Sequence, residues 1–345
     1  MLFCFVLVWT GLMALQDLNV LGRADVLRFA TRCVLVAVLS LFAGFFSETG
    51  SVDHENYLNM FDEVPPETAL EMIALKDPLF QLMGFFLRNS DGNLAWLMFF
   101  STFISLGIKV RILSSRHYNN IAGLAVIFLV ARFFLLHEFT QIRASLGIAF
   151  LSLSIIYAME KKLVLVLTTL VIAALTHLST LALLPMVVLV YRVDVKVKVY
   201  IFIIMALVIF LASLIFDAER LSRLAPYLTG EYQVTENTLL STYFLFKLII
   251  LIGLFLRWKS LTTALQGALL TSTYGIFLTW IFLQNDVLSL RLGELTAVFD
   301  CVCIAYFFRH DFKSGLFFGY LAGVIVAAVF YFSSTNIVNP LSLRF

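Results

Sequence analysis

The chain has 345 residues, 61% of them hydrophobic and 13% charged, with a net charge of +2. A mean hydropathy of +0.97 excludes a soluble domain, because so many long apolar runs cannot be buried in one core. The net charge itself says little; the placement of the charges along the chain carries the information.

Taken in order, the apolar runs predict helices near 1–16, 30–46, 92–110, 119–136, 142–159, 163–176, 179–191, 199–216, 241–257, 261–283, 293–308 and 314–332, with boundaries good to roughly ±2–4 residues. Strands of a barrel are excluded, because runs such as 199–216 and 315–332 do not alternate apolar with polar, and backbone groups in lipid must then pair within each segment. The first run lacks a basic start and a small-residue cleavage site, so it is expected to be a retained helix. Segments 163–176 and 179–191 are shorter than a full span; they form either a bent pair or one broken span. Cys4, Cys33, Cys301 and Cys303 fall inside apolar helices and read as small hydrophobes. The expected fold is all-α: one polytopic membrane domain over residues 1–345 with about 11–12 transmembrane helices. Its two larger links are 47–91 and 217–240. The first contains the apolar segment Pro78–Leu87, too short to cross and expected at the interface. The second has Leu221, Leu224, Tyr227 and Leu228 at helical spacing.

The short links sort by charge. Arg23 and Arg28, Arg111 and Arg116, Lys161 and Lys162, Arg192 to Lys198, Lys259, and Arg309 and Lys313 form a basic set, with Arg32, Lys109 and Arg257 on helix ends facing the same side. Glu48 to Asp91, Glu138, Asp217 to Glu236 and Asp286 form an acidic set. The sets alternate along the chain, and the positive-inside rule places the basic side in the cytoplasm.

The basic residues that break the pattern are the candidates for function. Arg143 opens a helix in Gln141-Ile142-Arg143, where a positive dipole end and a guanidinium fork suit a phosphate; otherwise it snorkels to the interface or pairs with Glu138. Arg291 and Glu294, three apart, share a helical face and form either a local ion pair or part of an anion site. His177 in Thr176-His177-Leu178-Ser179 marks a helix break, a feature that at membrane depth lines cavities. Arg132 either joins this cationic group or pairs with a loop acid. Lys247 and Asp300, at similar depth, are expected to form a buried structural pair. Asp53 and Tyr57, four apart, share a face of the first large link.

The order Asp53-x-x-x-Tyr57, Gln141-Ile142-Arg143-x-x-x-Gly147-x-Ala149-Phe150, Thr176-His177-x-Ser179, Arg291-x-x-Glu294 resembles the EpsG/Wzy-like polysaccharide polymerases. The resemblance implies a glycosyltransferase C-like enzyme of the bacterial inner membrane. It would join undecaprenyl-diphosphate-linked repeat units of O-antigen, capsule or exopolysaccharide on the periplasmic face. Arg143, Arg291 and Arg132 are then expected to hold the diphosphate, and Asp53, Glu138 and His177 to serve catalysis, with Asp53 the first choice of general base and Glu138 the second. Tyr57, Gln141 and Glu294 support them. No cofactor, metal or nucleic acid is expected. The expected partners are the lipid-linked oligosaccharide, membrane lipids, a chain-length regulator and a flippase. A flippase for the same lipid-linked sugar, or a glycan ligase, is the alternative reading.

Overall fold

The computed structural model describes residues 25–51, 53–62, 77–192, 242–282, 286–310 and 316–334, with single positions 9 and 12. The expected helices 1–16 and 199–216, and the 217–240 link, lie outside these residues. The described residues form thirteen helices and no strand.

A long helix α1 (Asp25–Gly50) packs along α4 (Leu94–Leu113). Between them in sequence lie two short helices, α2 (His54–Asp62) and α3 (Pro78–Arg88). A central helix α5 runs through Ala122–Phe128 and continues as a π-helix over Leu129–Thr140; nearly all of it is buried. Against it lie α6 (Ile142–Met159), then α7 (Leu163–Thr176), a 3-10 stretch at Leu178–Leu183, and α8 (Leu184–Arg192). The expected bent pair is therefore a real break, falling at His177. The remainder comprises α9 (Thr242–Leu256), α10 (Thr263–Ile281), α11 (Asp286–Glu294), α12 (Ala297–His310) and α13 (Leu316–Ser334). The helix expected near 293–308 is α12, and the short α11 that precedes it carries Arg291.

Four of these helices are long and apolar enough to cross a membrane, at Arg28–Glu48, Leu94–Leu113, Ala122–Thr140 and Ile142–Met159, and shorter apolar helices accompany them. Outward faces carry apolar stripes: on α7, Val164, Leu167, Val171 and Leu175 are all exposed, at the spacing of one helix face. A stripe of this kind suits lipid and not water, and the chain is an all-α polytopic membrane protein.

Contacts between links sort the ends of the bundle. The Tyr118 hydroxyl donates to the Ala264 carbonyl at 3.3 Å, and Lys161 Nζ donates to the Val190 carbonyl at 3.3 Å. Arg116, His117 and Lys162 surround Glu160. The links after α4 and α6, the end of α8 and the start of α10 therefore meet at one end, as the basic set read from the sequence requires. The α5–α6 turn, the α7–α8 break and the end of α10 lie at the other. Lys109 departs from its expected place on a solvated helix end: it is fully buried inside the bundle.

Candidate active site

The turn between α5 and α6 sits below the end of α4. Ser105, eleven residues into α4, lies 2.8 Å from Ser145, three residues into α6. Ile142, the first residue of α6, packs with Leu97 and Met98. At 1.5 Å per residue these offsets sink the turn on the order of 10 Å below the end of α4. A polar turn held at that depth needs internal partners. Lys109 supplies them, donating to Glu138 Oε1 at 2.6 Å and to Ser145 at 2.8 Å, while Ser145 also donates to Glu138 and Thr102 to the Glu138 carbonyl at 3.0 Å.

The π winding closes with the Gln141 N–H donating to the Leu136 carbonyl at 3.0 Å. It directs neighbouring side chains to different places. Glu138 faces α4 and Lys109. His137 faces the cleft side, stacked on Phe133 with ring centroids 5.1 Å apart, its Nε2 3.5 Å from Glu294 Oε2. Neither His137 ring nitrogen has a hydrogen-bond partner of good geometry, although the residue is wholly buried.

Arg143, two residues after Gln141, points to the segment that precedes α3. Its Nη1 donates to Asp77 Oδ2 at 2.6 Å, its guanidinium lies over the Tyr57 ring at 5.5 Å, and its Nε is buried without a hydrogen-bond partner. Asp77 is buried and adopts a left-handed backbone, φ 57°, unusual for a residue with a Cβ. The alternative in which Arg143 pairs with Glu138 does not form, because each residue has another partner. Helices α2 and α3 cap this region through their own small core of Tyr57, Phe61 and Phe80 on Leu94, Leu97 and Ile142. Burial raises the Tyr57 hydroxyl above its ordinary range, against the pull of the Arg143 guanidinium, so the phenol is neutral and a donor.

His177 ends α7 in extended conformation, and the chain restarts as the 3-10 turn. Its Nδ1 faces Asp77 Oδ1 at 3.7 Å. The close approach depends on Gly147 of α6, where a Cβ would meet Thr180 at 2.9 Å and the His177 Cβ at 3.0 Å. Opposite, Gly275 and Gly293 let α10 touch α11: a Cβ on Gly293 would sit 2.1 Å from Thr279 Oγ1. That contact, with Ser289 donating to the Thr279 carbonyl at 2.8 Å, holds Arg291 and Glu294 against the cleft.

The result is an open cleft of about 460 Å³, open solvent at its mouth included, lined by Asp53 and Tyr57 from the cap, His137, Gln141 and Arg143 from the central turn, His177 and Ser179 from the break, and Arg291 and Glu294 from α11. Residues more than 200 positions apart in sequence thus share one wall-to-wall space. Two guanidinium groups face two carboxylates on the lining, with Asp77 behind, so net charge alone does not attract an anion; the directed N–H groups and histidines must do so. Among the described residues no three His, Cys, Asp or Glu side chains are grouped as metal ligands.

A family model described as the EpsG family matches residues 29–342, and so includes every wall of this cleft. The chain belongs to the EpsG family. EpsG proteins are polysaccharide polymerase-like. No curated protein and no solved structure matches the chain.

Two residues named from the sequence stand outside the cleft of this EpsG chain. Glu138 is locked to Lys109 and does not reach the lining. Arg132 lies over Tyr243 at 4.8 Å and Phe133 at 5.8 Å, next to the Lys247–Asp300 pair, which forms at 2.7 Å as expected, with Tyr243 also donating to Asp300 at 3.2 Å. Two others were not legible. His137 depends on a π register that no residue pattern announces. Asp77 had a signal, an acid directly before Pro78 at the start of an apolar segment, but a loop carboxylate ordinarily reads as solvated.

Proposed function

We propose that this EpsG-family chain is a polysaccharide polymerase that joins undecaprenyl-diphosphate-linked oligosaccharide repeat units at the periplasmic face of the bacterial inner membrane. The observation that carries the reading is the meeting of Asp53, Tyr57, Arg143, His177, Arg291 and Glu294 in one recessed cleft. A site sunk below the end of α4 suits a substrate whose reacting bond lies beside a lipid headgroup.

In the proposed reaction a hydroxyl oxygen of the acceptor's terminal sugar attacks the anomeric carbon of the donor glycan. The bond from that carbon to the diphosphate oxygen breaks, and its electron pair leaves with the lipid diphosphate. Negative charge develops on the leaving oxygen as the sugar becomes oxocarbenium-like. Arg143 and Arg291 are assigned to that charge, with His177 as an additional donor. Asp53, half-buried on the lining with one oxygen 3.4 Å from Asn56 Nδ2, is assigned to take the acceptor's proton. Glu138 is dropped as an alternative base because its oxygens are held by Lys109 and Ser145. Arg132 is dropped as a diphosphate ligand because it is not on the lining.

The test is reconstitution. Purified protein given lipid-diphosphate-linked repeat units should yield a ladder of longer glycans, with or without chelator. Arg143→Ala and Arg291→Ala should each reduce the rate on the order of 100-fold, the scale of one lost charge-stabilising donor. No ladder from the native protein refutes the activity, and a ladder unchanged in both variants refutes the site.

A further inference from the structure

Among the described residues, Asp77 is the carboxylate that reaches both Arg143 and His177. One oxygen accepts from Arg143 Nη1 at 2.6 Å, and the other faces His177 Nδ1 at 3.7 Å. The three residues come from separate elements: the segment before α3, the start of α6, and the break after α7. Asp77 itself is buried and is held by the turn that begins α3, where its carbonyl accepts from the Phe80 and Gln81 N–H groups at 3.0 and 3.2 Å. Arg143 is held by Asp77 through Nη1 and lies over the Tyr57 ring, while its Nε has no hydrogen-bond partner. His177 Nδ1 likewise makes no hydrogen bond; the 3.7 Å separation is too long for one.

From this we propose that Asp77 is a positioning residue: it fixes one edge of Arg143 and one side of the His177 ring, so that the remaining donors of both are presented together to a diphosphate in the cleft. The role differs from that of Asp53. Asp53 lines the cleft, whereas Asp77 stands behind it and acts through the two residues it holds. A fork bound on one side loses less freedom when it binds a second anion, which is the general benefit of a prearranged site. The geometry also couples the cap to the site: α3 cannot shift without carrying Asp77, and with it the guanidinium and the imidazole.

This inference rests on the polymerase reading, so the experiment separates the two. Asp77→Asn is the informative variant, because Asn tolerates the left-handed backbone as Asp does and keeps the side chain's shape while removing its charge. The reconstituted protein is assayed for KM and kcat with lipid-diphosphate-linked repeat units. Asp77→Asn should raise KM about 10-fold or more, the scale of a lost charge-assisted hydrogen bond. A purely structural role would lower the amount of active protein and leave the KM of the surviving fraction unchanged, and that result overturns the proposal. In the Arg143→Ala background, Asp77→Asn should add less than about 2-fold, because the shared partner is already gone; independent, multiplying effects overturn it.

If native protein makes no ladder, the polymerase reading has failed and the positioning claim is tested without substrate. The rate of His177 carbethoxylation by diethyl pyrocarbonate is then read by mass spectrometry, with His54 and His117 as internal references. A change of about 3-fold or more in Asp77→Asn supports the coupling, and an unchanged rate overturns it.

Discussion

The buried Lys109–Glu138 pair offers the sharpest test of what is structure and what is chemistry. Both side chains are essentially excluded from solvent, at 0% and 1% exposure, with 2.6 Å between Nζ and Oε1. Glu138→Gln leaves the Lys109 ammonium buried among neutral groups alone, and Lys109→Met leaves the carboxylate so. Stranding one member of a buried pair costs about 3–5 kcal/mol. In a chain of this size each kilocalorie moves the unfolding midpoint by ~2 °C or less, so each single variant should lose up to about 10 °C. The double variant strands no charge and should recover most of that loss, a non-additivity of several kcal/mol. The assay is thermal unfolding of the three variants in one detergent, beside the rate of ladder formation. Activity in Glu138→Gln should fall by at most the amount that misplacing His137 and Arg143 explains, and it should return in part in the double variant. Abolished activity with an unshifted midpoint would make Glu138 a chemical participant and refute the structural account. Additive losses in the double variant would refute the pairing.

The other predictions bear on separate walls of the cleft. Gly147→Ala places a Cβ 2.9 Å from Thr180 and 3.0 Å from the His177 Cβ, so it should cost about 1–3 kcal/mol and lower turnover at least 10-fold by displacing His177, read from unfolding midpoint and ladder rate together. Arg132→Gln should lower the midpoint by removing the contact over Tyr243 while leaving substrate KM within about 2-fold; a KM rise comparable to that of Arg143→Ala would return Arg132 to the site. At the opposite end, the hydrogen bond from Lys162 holds the Glu160 carboxyl below its ordinary value, with His117 and Arg116 adding to it. A depressed carboxylate contributes stability above the ordinary value, about 4.5, and loses it as pH falls through the depressed one. The midpoint gap between native protein and Glu160→Gln should therefore be present at pH 7 and close as pH falls below about 4.5; a gap independent of pH would show the pair to be inert.

The sequence made the membrane class legible because hydropathy and link charge follow from lipid physics alone. It made most of the cleft's lining legible because basic residues on the acidic side stand out against that background: Arg143, Arg291 and His177 were visible as exceptions to a rule. What it hid has three causes. Lys109 was read as one more basic residue near a helix end, since one-dimensional charge sorting has no depth and cannot show a helix whose neighbour starts about two turns lower. Glu138 and His137 are adjacent, and their opposite fates follow from the π winding of Leu129–Thr140, which changes facing without changing composition. Asp77 was hidden differently, among many link acids, because burial of a carboxylate is a tertiary fact.

These hidden residues share one physical origin. Sinking the α5–α6 turn below the end of α4 recesses the cleft into the bundle, and it also drives polar side chains into surroundings that cannot hydrate them. Each wall therefore needs an ion pair at its back: Lys109–Glu138 behind the central turn, Lys247–Asp300 behind the start of α12, and Asp77–Arg143 beneath the cap. The first two pairs have each member satisfied and add to rigidity. The third leaves Arg143 Nε and His177 Nδ1 without hydrogen-bond partners. In the proposed reading Asp77 holds one edge of the guanidinium and leaves the other donors of Arg143 and His177 for the diphosphate, and that would set this pair apart from the two that serve only as scaffold.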